Sequence, residues 1–131
     1  MEDYKLKKIA VIGVSQNSKK YGYKIFSDLL KAGFNVFGIN PKGGEVEGKK
    51  LFSSIKEINP LPDMILTVVP PVITEKVIEE MNLLGIKRLW MQPGSESDTA
   101  ISKAKEYGIL VTSKKCFMVA NGLWKEELKG F

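Results

Sequence analysis

Apolar and polar positions along the chain form alternating strand-like and helix-like patterns. Residues 9–12 are four consecutive apolar residues that run into Gly13, which is typical of a short strand buried on both faces. Apolar residues then recur at helical spacing between positions 21 and 32, and Gly33 follows as a helix stop. The pattern therefore predicts a strand, a polar loop and an amphipathic helix in this order.

The same alternation continues along the rest of the chain. Further strands are predicted at 34–39, 64–69, 88–91 and 109–111, and further helices at 72–84 and after Ser95 or Ser97. Ser54 and Glu57 have the spacing of a capping box before a short helix. Residues 42–50 are interpreted as a loop, Leu51 and Phe52 as a very short edge strand, and 123–128 as a short tail helix.

Strands that alternate with helices indicate a parallel sheet covered on both faces. The prediction is an α/β fold, a three-layer Rossmann-like doubly wound parallel sheet with about five main strands. The length of 131 residues and the 44% hydrophobic content suit one domain with a sizeable core, and no linker divides the chain. We therefore expect a single domain over 1–131.

Composition narrows the functional classes. No apolar run is long enough to span a membrane, and the charged first eight residues leave no room for a signal peptide. The single cysteine, Cys116, cannot form an internal disulfide and is expected to be a buried small hydrophobe. These features predict a cytoplasmic protein. The chain contains no histidine, which excludes histidine-based catalysis and the usual histidine zinc sites.

The net charge of +5 favours anionic ligands. Of the 20 lysine and arginine residues only Arg88 is arginine, whereas proteins that read nucleic-acid bases depend strongly on arginine. Nucleic acid is therefore the weaker prediction for a partner.

Four polar loops follow the predicted strands, at 13–22, 40–44, 70–72 and 92–95. In an open parallel sheet these loops meet at the carboxyl edge, where such sheets bind ligands. The first loop contains hydroxyl and amide side chains and two lysines, Lys19 and Lys20, just before a helix start. A helix N-terminus with free N–H groups and nearby lysines predicts a phosphate site.

Two common nucleotide fingerprints are absent. Ser15 and Ser18 occupy the places of the later glycines in the dinucleotide motif G-x-G-x-x-G, and no P-loop is present. Asn40 stands where an acidic residue would bind the ribose diol of NAD. A second lysine loop, at Pro41 and Lys42, indicates a ligand with phosphates in more than one place.

The segments GVSQNSKKYG, NPKGGEVEGKK, VPP and WMQPG, followed by a late cysteine, resemble the CoA-binding domain family in order and spacing. This family includes small stand-alone relatives of the N-terminal domain of the succinyl-CoA synthetase alpha subunit. The resemblance covers about residues 8–120. It implies a Rossmann-like fold and coenzyme A as the ligand.

The resemblance also implies which residues bind coenzyme A. The positions that match the family's four binding loops are Gly13, Val14, Ser15, Asn17, Lys19 and Tyr21 around the pyrophosphate, Asn40, Pro41 and Lys42 beside the ribose 3′-phosphate, Val69, Pro70 and Pro71 against the adenine and ribose, and Gln92 and Gly94 near the pantetheine arm. Lys42 is the expected charge partner of the 3′-phosphate. Phe117 follows Cys116 where many relatives have proline, so a role for this thiol is not implied.

The predicted function is the binding of coenzyme A or an acyl-CoA, with no catalytic residue, no metal and no chemistry of its own. The larger synthetases carry phosphate on a histidine in a second domain, which this chain lacks, so the ligase reaction is not implied. One alternative is an NAD(P)- or adenine-nucleotide-binding subunit of an enzyme whose catalytic residues come from a partner. Another is a basic nucleic-acid-binding protein. Each of these three functions is compatible with a homo-oligomer or with a partner subunit.

Overall fold

The computed structural model of the protein describes residues 3–125. The strands are β1 Lys8–Ile12, β2 Asn35–Ile39, β3 Glu45–Val46, β4 Lys49–Lys50, β5 Met64–Thr67, β6 Arg88–Met91 and β7 Leu110–Thr112. The α-helices are α1 Tyr21–Lys31, α2 Pro71–Leu84, α3 Asp98–Glu106 and α4 Phe117–Ala120. Two short 3-10 helices, Tyr4–Leu6 and Ile55–Glu57, complete the described elements.

Five strands form one parallel sheet in the order β2-β1-β5-β6-β7. The chain leaves β1 for the edge strand β2 and then returns to the other side of β1 through β5. This reversal and the intervening helices make the sheet doubly wound. The predicted α/β Rossmann-like fold is confirmed, with strand ends that differ by a few residues from the prediction.

The core lies in two layers because successive residues of a strand point to opposite faces. Ile9 and Val11 of β1 pack with α1 and α4, whereas Ala10 and Ile12 pack with α2 and α3. All four side chains are buried, as the continuous apolar run predicted. Trp90 of β6 lies in the first layer and is 4% exposed.

A small hairpin, β3 and β4, lies in the region that the sequence predicted as a loop. Its two turn residues, Glu47 and Gly48, both have positive φ, at 52° and 74°. The Glu47 carboxylate accepts hydrogen bonds from Tyr23 Oη at 3.0 Å and Ser27 Oγ at 3.1 Å on α1. These bonds hold a glutamate in a conformation that usually favours glycine or asparagine.

The short elements around the hairpin follow the predictions. Phe52 forms a parallel bridge with Ile39 at the edge of the sheet. Glu57 completes the predicted capping box with Ser54 at the start of the 3-10 helix.

The tail differs from the prediction. The helix is α4, whereas 123–125 are not helical and 126–128 lie outside the described residues. The predicted position of the tail helix was wrong because tertiary contacts determine where the helix forms. Phe117 and Met118 of α4 are fully buried in the core. Trp124 then stacks on Tyr21 and donates to Asp28 Oδ2 at 2.7 Å, so it covers the body of the domain.

Candidate ligand-binding site

The loops after β1 and β5 meet at the carboxyl edge of the sheet. These two strands are neighbours, and their following helices lie on opposite faces, so the loops stand at the switch point where open α/β sheets bind ligands. Val68 N donates to Ile12 O at 2.9 Å. Gly13 lies so close that a Cβ there would be 2.3 Å from Val68 O, and its φ of +100° also favours glycine.

The first loop is shaped by its own polar side chains. Ser15 Oγ accepts a hydrogen bond from Asn17 N, and Asn17 Oδ1 accepts one from Lys19 N, both at 3.0 Å. The backbone N–H groups of Gly13 and Val14 both donate to Ile39 O. Ser15 and Asn17 therefore fold the loop, and the predicted binding role of their side chains stays a prediction.

Helix α1 begins directly after this loop without a capping side chain. Lys20 is the N-cap residue and makes no side-chain cap bond, and the first turn contains no acidic residue. Lys19 and Lys20 are exposed. Two exposed lysines thus directly precede the positive end of the helix dipole, which favours an anion.

Close packing sets the direction of α1. A Cβ on Gly22 would lie 1.9 Å from Gly13 O, so only glycine lets the helix approach the loop this closely. The Tyr21 side chain is 7% exposed and stacks on Trp124. Its ring therefore anchors the helix start to the tail.

The second loop is tied to the first. Asn40 Nδ2 donates to Val14 O at 2.9 Å, while Asn40 Oδ1 accepts from Lys42 N at 2.8 Å. Pro41 and Lys42 are exposed. The structure therefore brings the Lys42 loop beside the first loop, with Asn40 as the link between them.

The third loop presents an apolar surface. Val69 is buried, Pro70 is exposed, and Pro71 occupies the first turn of α2, where a missing N–H costs no hydrogen bond. These are the residue types that the sequence assigned to an adenine and ribose contact, and that contact stays a prediction.

The fourth loop is different because its polar side chains are turned inward. Gln92 is 1% exposed; its Oε1 accepts from Phe117 N and its Nε2 donates to Cys116 Sγ at 3.4 Å. Ser95 Oγ lies 3.0 Å from Thr67 Oγ1 in the same buried region. Gln92 thus holds the segment that begins α4, and a ligand contact in this loop is open only to exposed parts such as Gly94.

Cys116 is buried, as the sequence predicted. Gln16, in contrast, was not predicted as a site residue. Its Oε1 accepts from Glu45 N at 3.1 Å, which joins the first loop to the hairpin. The sequence shows Gln16 only as one polar residue in a polar loop, and no signal identifies its distant partner.

A cavity of about 520 Å³ lies on the outer side of α1, next to the first loop. Its lining includes Ser18, Tyr23, Glu47 and Trp124, and none of the residues predicted to bind coenzyme A is among the residues that line it. The hydrogen bond with Glu47 raises the pKa of Tyr23, and the bonds from Tyr23 and Ser27 lower the pKa of Glu47. These shifts arise from the attachment of the hairpin to α1.

No helix within residues 3–125 has the length and apolar character needed to cross a membrane. In the same part of the chain, no group of three or more His, Cys, Asp or Glu side chains could hold a metal ion.

Fold, loop arrangement and sequence together define a class, an open Rossmann-like α/β domain with its candidate site at the carboxyl edge. Residues 7–122 match the family model described as CoA binding domain. The chain belongs to this CoA-binding domain family. The family assignment made from the motifs is thereby confirmed.

Known proteins similar to the chain include a ligase, the alpha subunit of another ligase and a hypothetical protein of similar length. The acetate–CoA ligase [ADP-forming] of Methanocaldococcus jannaschii is 30% identical over 91% of this chain and 19% of its own length. The acetate–CoA ligase [ADP-forming] II subunit alpha of Pyrococcus furiosus is 29% identical over 86% of this chain and 27% of its own length. A solved structure of a conserved hypothetical protein from Pyrococcus furiosus is 39% identical, with a TM-score of 0.83 over 88% of this chain and 99% of that one. The chain therefore spans about a quarter or less of those two ligases.

Proposed function

We propose that the chain binds coenzyme A or an acyl-CoA at the carboxyl edge of the sheet. In this proposal the loop 13–20 and the start of α1 bind the pyrophosphate, and Lys42 binds the 3′-phosphate. The adenine and ribose contact the loop at 69–71, and the pantetheine arm passes the exposed part of the loop at 92–94.

One observation carries the proposal: α1 starts without a cap beside two lysines, and a second lysine loop is tied to the same place. The N-cap residue Lys20 makes no side-chain cap bond, and the hydrogen bond from Asn40 to Val14 O links the two loops. A ligand with a pyrophosphate and a separate phosphate places negative charge at both loops. Membership of the CoA-binding domain family supports the same ligand.

The proposal extends to a partner. One relative is named as an alpha subunit, and the chain spans only part of its length. If the bound coenzyme A takes part in a reaction, a partner chain would supply the catalytic residues. An NAD(P)- or adenine-nucleotide-binding subunit is the competing proposal, and it differs in the ligand that the domain binds.

The direct test is isothermal titration calorimetry and thermal unfolding of the purified protein with coenzyme A, acetyl-CoA, NAD⁺, NADP⁺ and ATP. Coenzyme A should bind in a one-to-one ratio, and at a hundred times its dissociation constant it should stabilise the fold by about 2.7 kcal/mol. Binding of NAD⁺ or ATP with no binding of coenzyme A would overturn the proposal. A steep loss of affinity for random DNA with salt would instead support a nucleic-acid-binding protein.

A further inference from the structure

Two side chains connect the loops that the proposed function assigns to different phosphates. Asn40 reaches from the second loop to Val14 O. Gln16 reaches the opposite way, from the first loop to the backbone N–H of Glu45, at 3.1 Å. The segment that carries Lys42 is thus held from both of its ends.

Gln16 also fits closely against Gly44. A Cβ on Gly44 would lie 2.4 Å from Gln16 Nε2 and 2.5 Å from its Cδ, so the amide group packs directly over the glycine. Gly44 has a φ of +111° and its carbonyl accepts from Leu51 N at 2.8 Å. The Gln16 amide therefore contacts a backbone segment that is itself fixed to the hairpin.

We propose that Gln16 is a positioning residue that sets the separation between the first loop and Lys42. At this separation one coenzyme A molecule meets both loops at once, with its pyrophosphate at the first and its 3′-phosphate at the second. The inference rests on the proposed function, since it concerns the same site. Its consequence is selectivity for nucleotides that carry a 3′-phosphate, because only these ligands use both loops and gain from their fixed spacing.

The test compares coenzyme A with dephospho-CoA, which lacks the 3′-phosphate, on the variant Gln16→Ala. Loss of one hydrogen bond and its packing contact should raise the dissociation constant of coenzyme A about three- to tenfold. The dissociation constant of dephospho-CoA should change by less than about twofold, since this ligand does not use the second loop. Calorimetric titration measures both constants, and urea unfolding checks that the variant remains folded.

A double-mutant cycle with Gly44→Ala gives an independent readout. In the wild-type background the new methyl group meets the Gln16 amide, whereas in the Gln16→Ala background that obstacle is gone and only the positive φ remains. Gly44→Ala should therefore weaken coenzyme A binding more in the wild-type background than in Gln16→Ala. Additive effects of the two substitutions would count against a direct link between Gln16 and the second loop.

The outcomes separate the two proposals. If the wild-type protein does not bind coenzyme A, the proposed function fails. If the wild-type protein binds coenzyme A and Gln16→Ala leaves the ratio between coenzyme A and dephospho-CoA unchanged, the positioning role of Gln16 is overturned while the proposed function stands. Equally weaker binding of both ligands would also overturn the positioning role, since it indicates a general effect on the first loop.

Discussion

Helices α1 and α3 both begin at the carboxyl edge of the sheet, yet their first turns differ. At α3, Ser97 Oγ accepts from Ala100 N at 3.0 Å and donates to Glu75 Oε2 at 2.7 Å, and Asp98 stands in the first turn. At α1, Lys20 provides no side-chain cap and no acidic residue is present in the first turn. The chain thus satisfies one helix start internally and leaves the other electropositive.

This difference indicates where an anion can bind. A cap and a first-turn carboxylate satisfy the N–H groups and offset the positive end of a helix dipole, which removes its attraction for phosphate. A doubly wound fold places several helix starts at one edge, and the fold alone does not choose among them. In this chain α1 and α2 both begin without a side-chain cap or a first-turn acidic residue, and only α1 has two lysines directly before it, so the local charges favour α1.

The largest expected effect concerns the second loop. Lys42→Glu places a carboxylate where we propose a lysine–phosphate contact, and a charged hydrogen bond of this kind contributes on the order of 1.5–3 kcal/mol. Coenzyme A should therefore bind at least about tenfold more weakly, while dephospho-CoA should bind almost as before. Calorimetric titration with the two ligands measures this difference.

A matched variant separates local contact from net charge. Lys105→Glu makes the same charge change in the last turn of α3, at the opposite edge of the sheet. It should leave both dissociation constants within about twofold, because an exposed charge beyond a Debye length is largely screened. An equal loss of affinity for coenzyme A in both variants would contradict the assignment of Lys42.

The substitution Lys20→Ser would make the start of α1 resemble the start of α3. Lys20→Ser places a good N-cap residue where none exists, so the free energy of unfolding should rise by up to about 1 kcal/mol. The same change should weaken coenzyme A binding, because the hydroxyl competes with phosphate for the N–H groups and one positive charge is lost. Urea unfolding and calorimetric titration report these opposite changes.

Two control variants complete this comparison. Lys20→Ala removes the charge without adding a cap, so it isolates the contribution of the lysine. Ser97→Ala should lower the free energy of unfolding by about 1 kcal/mol and leave coenzyme A affinity unchanged. A loss of coenzyme A affinity in Ser97→Ala would show that the two helix starts do not differ in function.

The apolar pattern predicted most of the fold because apolar residues form continuous runs in the strands and recur at helical spacing in the helices. It missed the β3–β4 hairpin, whose strands have only two residues each and whose turn places Glu47 at positive φ. Its position depends on hydrogen bonds from Tyr23 and Ser27, which lie 24 and 20 positions before Glu47. The local apolar pattern does not reveal contacts over such distances in the sequence.

The candidate site was predictable to a similar degree. The edge rule predicted that the loops after the strands lie together, and in the structure Asn40 links the Lys42 loop to the first loop. The link from Gln16 to Glu45 N and the inward orientation of Gln92 depend on contacts between distant segments. Such contacts become visible only when the loops have been placed in space.

The smallest expected effect concerns the hydrogen bonds that join α2 to α3 and the residue after it, Tyr107. The Glu79 carboxylate on α2 accepts from Lys103 Nζ and from Tyr107 Oη, each at 2.6 Å. The bond from Lys103, followed by that from Tyr107, lowers the pKa of Glu79 below its ordinary value of 4.5. A lowered pKa stabilises the folded protein at neutral pH, and this contribution is lost as the pH falls through the lowered pKa.

Glu79→Gln should therefore lower the free energy of unfolding slightly near neutral pH, and the difference from the wild type should shrink toward acid. The effect is small because both partners are partly exposed, with side-chain exposures of 43% for Lys103 and 45% for Glu79. Urea unfolding from about pH 7 to about pH 3 measures this trend. Coenzyme A affinity should not change, since the pair joins α2 to α3 away from the four loops. A reduced affinity would show that the contact between Glu79 and Lys103 also affects the site beside α1. The regions around the starts of α1 and α3 would then both contribute to binding, and would differ only in how much.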